Sequence, residues 1–236
     1  MTDTTIAMVT GANKGIGHTV VRRLAERGWT VLLGSRDPGR GAAAAAELRG
    51  DVEVLPIDVT NDESVAAAAK LVEERYGRLD VLVNNAGVVG SRVAALDTGA
   101  ADLLACYDTN VFGPVRVTRA FLPLLRRSAA PRIVMVSSGM GSITRTGDPD
   151  RVESSLVSLG YPSSKTALNM ITTQYAKALP EFRVNAADPG FTATDLNDHR
   201  GYQTVEEGSD AIVALATVAP DGPTGGFFDR GGPVPW

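Results

Sequence analysis

The feature that most constrains this chain is a repeated alternation of short, nearly continuous apolar runs with longer helical patterns. Ile6 to Thr10, Trp29 to Gly34, Val52 to Ile57, Leu79 to Asn84, Arg132 to Ser137 and Arg183 to Ala187 read as strands, with Gly226 to Asp229 as a last one. Strands apolar on both faces must be covered on both faces, which is the signature of a parallel sheet between helices. The segments between them supply the helices. One runs from the glycine turn at 11–17 through Arg27, with Gly28 as its stop, and an alanine-rich one spans Gly41 to Arg49. A third opens at Thr60-Asn61-Asp62-Glu63, which has capping-box spacing, and ends at Gly77. A long one covers Ala100 to Arg127, with Pro114 and Pro123 as breaks or kinks; another starts at Tyr161, and a late one spans Asp210 to Val218. The predicted fold class is α/β: one doubly wound, mostly parallel sheet with helices on both faces, in a single domain over 1–236.

Composition narrows the function. The 236 residues suffice for one sizeable core, and 44% apolar with 21% charged residues is ordinary for a globular chain. A net charge of −4 gives no electrostatic reason to expect nucleic acid or an anionic membrane, so an anionic ligand must be held by local groups. The single cysteine, Cys106, excludes an internal disulfide and suits a reducing cytoplasm. Two histidines far apart, His18 and His199, leave little material for a zinc site, and no metal is expected. No apolar run approaches the ~20 residues of a membrane span, and the N-terminus has no basic-then-apolar signal pattern. The expected location is cytoplasmic.

The chemistry begins at the first strand-to-helix turn, which places glycines at 11, 15 and 17. Glycine there permits a tight turn and lets backbone approach a pyrophosphate, while the helix start offers N–H groups and a positive dipole end. At the end of the second strand, an acidic residue would bind the ribose hydroxyls of NAD. Ser35-Arg36 stands there instead, with Lys14 in the glycine turn, so two cations favour a 2′-phosphate and hence NADP(H). Further along, Tyr161 and Lys165 lie four residues apart, one turn apart on a helix face. A fixed ammonium beside a phenol should lower the tyrosine's pKa and let it exchange a proton with a carbonyl or alcohol.

These residues fall within an ordered set: Thr10-Gly11-Ala12-Asn13-Lys14-Gly15-Ile16-Gly17, Asp58-Val59, Asn84-Asn85-Ala86-Gly87, Asn110, Ser137-Ser138, Tyr161 to Lys165, and Pro189-Gly190 with Thr194. From Thr4 to about Gly226 the chain resembles the short-chain dehydrogenase/reductase family, and within it the NADPH-dependent carbonyl-reductase-like members. The resemblance implies a Rossmann fold and a role for each motif. Tyr161 is implied as general acid, with Lys165 tuning it and holding the nicotinamide ribose. Ser138 is implied to stabilise charge on the substrate oxygen. Strand alternation turns only one serine of the pair toward the site, and the family pattern makes it the second. Asn110 is implied to help hold a water between Lys165 and solvent. Asp58 and Val59 resemble the adenine contacts, and Asn84 the family's bracing asparagine. Asn85, Ala86 and Gly87 are implied beside the cofactor, as are Asn13 and Ile16 in the glycine turn. Pro189, Gly190 and Thr194 would flank the nicotinamide.

The chain departs from the family pattern in having more residues than usual between Ser138 and Tyr161. The segment 139–160 and the stretch 195–207 both read as irregular, and the charges of the former favour a solvated loop. Monomer and homo-oligomer are both left open. The function implied is reduction of a small-molecule carbonyl to an alcohol by NADPH. The same residues permit an NADP-dependent alcohol dehydrogenase running toward oxidation. A chain that merely sensed NADP(H) would have little reason to keep Asn110, Ser138, Tyr161 and Lys165 together.

Overall fold

A computed structural model describes residues 4–236; the first three residues of the expected domain lie outside it. The strands are β1 (Ile6–Val9), β2 (Thr30–Ser35), β3 (Val52–Pro56), β4 (Val81–Asn84), β5 (Arg132–Val136), β6 (Arg183–Ala187), β7 (Phe227–Asp229) and β8 (Gly232–Pro233). The helices are α1 (Gly15–Ala25), α2 (Pro38–Ala46), α3 (Asp62–Tyr76), α4 (Ala100–Tyr107), α5 (Gly113–Leu125), α6 (Ile143–Thr146), α7 (Gly160–Ala178) and α8 (Val205–Ala216). They form one sheet of order β3-β2-β1-β4-β5-β6-β7-β8, parallel throughout except for the last pair. Among the described residues, no helix is long and apolar enough to cross a membrane.

Period-two alternation along each strand sends side chains to two separate cores. Ile6, Met8, Leu32, Leu82, Ile133 and Met135 pack beneath α3, α5 and α7, around the fully buried Phe121 and Phe182. Ala7, Val9, Val31, Leu33, Val81, Val83, Val134 and Val136 pack beneath α1, α2 and α8. Each large apolar side chain buried this way stabilises by roughly 1.5–3 kcal/mol. The strand order reverses between β1 and β4, which opens a crevice beyond their carboxyl ends, where such sheets bind ligands.

Several boundaries differ from the sequence reading for identifiable reasons. Asn61, not Thr60, caps α3 by accepting from Ser64 N at 2.8 Å, because Thr60 is held by Asp58. The expected long helix is interrupted by a π-helical stretch, Asp108–Phe112, with Pro114 in the first turn of α5. The helix α8 starts five residues early, at a Thr204–Glu207 capping box. Gly208 obscures that start in the sequence; its Cβ would meet Thr192 Oγ1 at 2.3 Å, so packing requires the glycine. The strand β8 was absent from the expectation. The segment 139–160 is a solvated loop only in part: 147–152 and 155–157 are exposed, but it also holds α6 and two 3-10 turns, and it buries Arg145 and Glu153 to 12% and 11% exposure.

Candidate active site

The glycine turn is built by close approach. Gly11 and Gly15 have φ of +62° and +59°, values that favour glycine. A Cβ on Gly11 would lie 2.8 Å from Ala86 Cα, and one on Gly17 would lie 2.4 Å from Asn85 Nδ2. Asn85 donates to the carbonyls of Thr10 (2.8 Å) and Gly11 (3.1 Å), while the Thr10 hydroxyl accepts from the backbone N–H groups of Asn85 and Ala86. The brace between β1 and β4 is therefore Asn85 with Thr10, not Asn84. Asn84 is turned by the strand's alternation toward Thr118 Oγ1 (3.2 Å) and Met135 Sδ (3.3 Å). The role of Thr10 was missed, although it is the first residue of the motif.

Lys14 is the N-cap of α1 and supplies no side-chain cap, and the first turn of that helix has no acidic residue. Its N–H groups are thus free of competing side-chain carboxylates and suit a pyrophosphate. Asn13 is half-buried in this turn, and Ile16 packs against the core that lies under α1. With the glycine cradle, this donor set fits a dinucleotide.

At the far end of the crevice, Arg36 is exposed just beyond β2. Asp37 is committed to capping α2, accepting from Arg40 N at 3.0 Å and lying 3.7 Å from Arg40 Nε; that backbone N–H bond holds its carboxyl below the usual range. Asp58 accepts from the N–H and hydroxyl of Thr60, and these bonds outweigh burial to hold its carboxyl low, helped by the charges of Arg36 and Arg116. Val59 is buried, and its carbonyl accepts from Arg116. Lys14 is drawn across the crevice to Asp195, at 2.6 Å, and His199 Nε2 lies 2.8 Å from the same carboxylate.

The inner end gathers the expected proton-transfer residues. Ser137 is buried and bonds Asn169 Oδ1 at 2.5 Å, whereas Ser138 is half-buried, and its hydroxyl acts on the phenol of Tyr161. Lys165 is 4% exposed; its Nζ donates to Val136 O at 2.8 Å and lies 5.6 Å from the Tyr161 ring centroid. The expected fall in the tyrosine's pKa does not occur. Burial pushes Tyr161 up to about 12, against the favourable Ser138 hydroxyl, and the charges of Asp188 and Cys106 add to the rise. Burial likewise pulls Lys165 down to about 8, with Cys106 and Asp188 opposing. Desolvation dominates because the ammonium bonds a carbonyl of β5 rather than the phenol.

Asn110 sits in the π-helical stretch, fully buried, and both ends of its amide are engaged. Its Oδ1 accepts from Val88 N, and its Nδ2 donates to Val88 O and Ser164 Oγ. It thus fixes the backbone just after Gly87, where a Cβ would lie 3.4 Å from Asn110 Oδ1 and 3.6 Å from Lys165 Nζ. Pro189 and Gly190 (φ +69°) turn away from β6, with Gly190 N bonded to Asp188 Oδ1 at 2.9 Å. Thr194 returns to the glycine turn: a Cβ on Gly15 would lie 3.7 Å from its methyl.

Comparison with known proteins agrees with this layout. A family model for short chain dehydrogenases matches residues 5–204. The chain is 35% identical to a (-)-isopiperitenone reductase of Mentha piperita, over 95% of this chain and 96% of the relative. That alignment runs over 300 positions, so the relative carries segments this chain lacks. A (+)-neomenthol dehydrogenase of Arabidopsis thaliana is also 35% identical, over 95% of each. Among solved structures, salutaridine reductase from Papaver somniferum superposes with a TM-score of 0.83 at 29% identity, covering 94% of this chain and 99% of that one. An NADPH-bound carbonyl reductase from chicken fatty liver gives 0.83 at 27% identity and 99% of both. A match of that extent, on a sheet of this order with the glycine turn at its switch point, means that the chain belongs to the short-chain dehydrogenase family.

Proposed function

We propose that this enzyme reduces a small-molecule carbonyl compound to an alcohol with NADPH, using Tyr161 as proton donor. The observation that carries the reading is the grouping of the Tyr161 phenol, the Ser138 hydroxyl and the Lys165 ammonium, with Lys165 Nζ lying 3.6 Å from where a Cβ on Gly87 would stand. When bound, NADPH supplies the hydride. Arg36 at the end of β2 is placed to meet its 2′-phosphate, with Lys14 as a second cation. Gly11, Gly15, Gly17, Asn85, Ala86 and Gly87 form the cradle, and Pro189, Gly190 and Thr194 bound its inner end. A carbonyl oxygen between the two hydroxyls receives a hydrogen bond from Ser138, which stabilises charge as it develops there.

With its pKa near 12, Tyr161 is fully protonated at neutral pH and gives its proton to an alkoxide, a far stronger base than tyrosinate. Lys165, near 8, is mostly charged at that pH and offsets the tyrosinate left behind. Asn110 contributes by holding the backbone at Val88. The names of the isopiperitenone and carbonyl reductases, and the NADPH bound to the latter, support the reading. The buried, unpaired Cys106 is compatible with a cytoplasmic enzyme.

The test is Tyr161→Phe, assayed by NADPH absorbance against a panel of aldehydes, ketones and quinones. Turnover should fall by about 10²- to 10⁴-fold while NADPH binding, read by fluorescence titration, is retained. Near-native turnover would end the proposal.

A further inference from the structure

The segment 139–160 encloses a cluster of charges that the mechanism above does not use. Arg145 Nη1 lies 2.9 Å from Asp188 Oδ2 and 3.6 Å from Glu153 Oε1, and its Nη2 lies 2.7 Å from Asp229 Oδ2. The four side chains are 12%, 3%, 11% and 25% exposed in that order, so the cluster is shielded from water. Arg151 reaches Glu153 from outside at 3.0 Å. Three carboxylates therefore share one internal guanidinium. Gly139 makes room for the cluster: a Cβ there would lie 2.7 Å from Glu153 Oε1 and 2.9 Å from Asp188 Oδ2. The same segment is pinned to the end of the chain by Ser142 Oγ to Pro235 O (2.7 Å) and Thr144 Oγ1 to Trp236 O (2.8 Å).

Asp188 connects this cluster to the reaction. Its Oδ1 accepts from Gly190 N across the Pro189 turn. It faces Arg145, Glu153 and Asp229 on one side, and its field reaches Tyr161 and Lys165 of α7 on the other, where Cys106 of α4 acts in the same sense. We propose that Arg145 is a positioning residue for the reduction: by gripping Asp188 and Asp229 it locks the segment 139–160 onto the ends of β6 and β7, holds the Pro189–Gly190 turn, and balances the buried carboxylate whose charge reaches Tyr161. This rests on Tyr161 being the proton donor. Burial pushes the Asp188 carboxyl up, against the backbone N–H groups of Gly190 and Gly139 and the charge of Arg145, so the pairing decides how much negative charge α7 feels.

The signs of the test follow from the charges. Asp188 raises the pKa of both Tyr161 and Lys165, so the alkaline limb of the kcat profile moves with it whichever residue sets that limb. Asp188→Asn keeps the acceptor for Gly190 N and removes the charge; the limb should move to lower pH, by roughly one unit. Arg145→Gln leaves the carboxylate uncompensated; the limb should move to higher pH, and kcat should drop about tenfold or more as the turn loosens. Arg145→Lys, which keeps the charge but loses the fork, should restore the limb and only part of kcat.

The profiles are measured on the full chain, with KM for NADPH and for the carbonyl, thermal unfolding, and Tyr161→Phe alongside. Limbs moving in opposite directions for Asp188→Asn and Arg145→Gln support the proposal. Superimposable profiles and kinetics with only a lower melting temperature would reduce Arg145 to a structural tie and overturn it. If Arg145→Gln does not fold, Arg145→Lys and Asp188→Asn decide: a native limb in the first with a lowered limb in the second supports the proposal, and an unmoved limb in both overturns it. An inactive Tyr161→Phe with unmoved limbs sinks this inference alone, whereas an active Tyr161→Phe sinks the proton-donor reading and this inference together.

Discussion

Lys165 is held at a cost that its place in the site explains. Moving its pKa from 10.5 to about 8 opposes folding by on the order of 3 kcal/mol at neutral pH. The bond to Val136 O returns only part of that. Lys165→Met should therefore abolish turnover and raise the unfolding free energy at pH 7 by about 1–3 kcal/mol, read by urea denaturation. The sign of the pH dependence is fixed by proton counting. Between pH 8 and 10.5 the unfolded lysine keeps the proton that the folded one has lost, so wild-type stability rises with pH there and the variant's advantage fades. A Met variant less stable than wild type at pH 7 would mean that the ammonium is better solvated inside than its burial implies.

At the scale of elements, caps fix where helices begin. Thr204 accepts from Glu207 N at 3.2 Å, and the Glu207 carboxylate accepts from Thr204 N at 2.9 Å. The bond from Thr204 N, with those from Arg230 and the Thr204 hydroxyl, holds Glu207 down to about 2. Thr204→Ala should cost about 1 kcal/mol in thermal or chemical unfolding and leave the kcat of the enzyme unchanged, since α8 packs under β4 to β6 and away from Tyr161. The start of α1 is built differently, with no side-chain cap and no acidic residue in its first turn. In the proposed site, those uncapped N–H groups would meet the pyrophosphate.

At the scale of the whole molecule, ion pairs join segments far apart in sequence across the mouth of the crevice. Lys14 of the glycine turn meets Asp195, and Arg92 beyond β4 meets Asp198 at 3.3 Å. Asp198 and the next residue, His199, both have positive φ (56° and 58°), a conformation uncommon outside glycine. In the proposed site, Asp195 would compete with the 2′-phosphate for Lys14. Asp195→Asn should tighten NADPH binding by roughly two- to threefold at low salt and leave NADH binding unchanged, an effect that added salt removes. Equal changes for both cofactors, measured by fluorescence titration, would show that Lys14 does not discriminate between them.

The sequence by itself determined the alternation that makes the sheet, the glycine turn at its switch point and the order of the motifs, because strand and helix periods and the needs of a tight turn are local properties. Tyr161 and Lys165 were legible for the same reason, since four residues on a helix fix their relative position. What surrounds them was not. Asn85 rather than Asn84 faces β1 because the strand's register, set by its neighbours, decides which way each side chain turns. The pKa of Tyr161 rises instead of falling because desolvation depends on everything packed around the phenol, not on one partner a turn away. Arg145 read as a surface charge because its carboxylates lie 8, 43 and 84 residues distant along the chain; only the folding of 139–160 onto β6 and β7 brings them to one guanidinium. Local sequence carries backbone geometry, whereas burial and long-range charge exist only once the sheet has assembled.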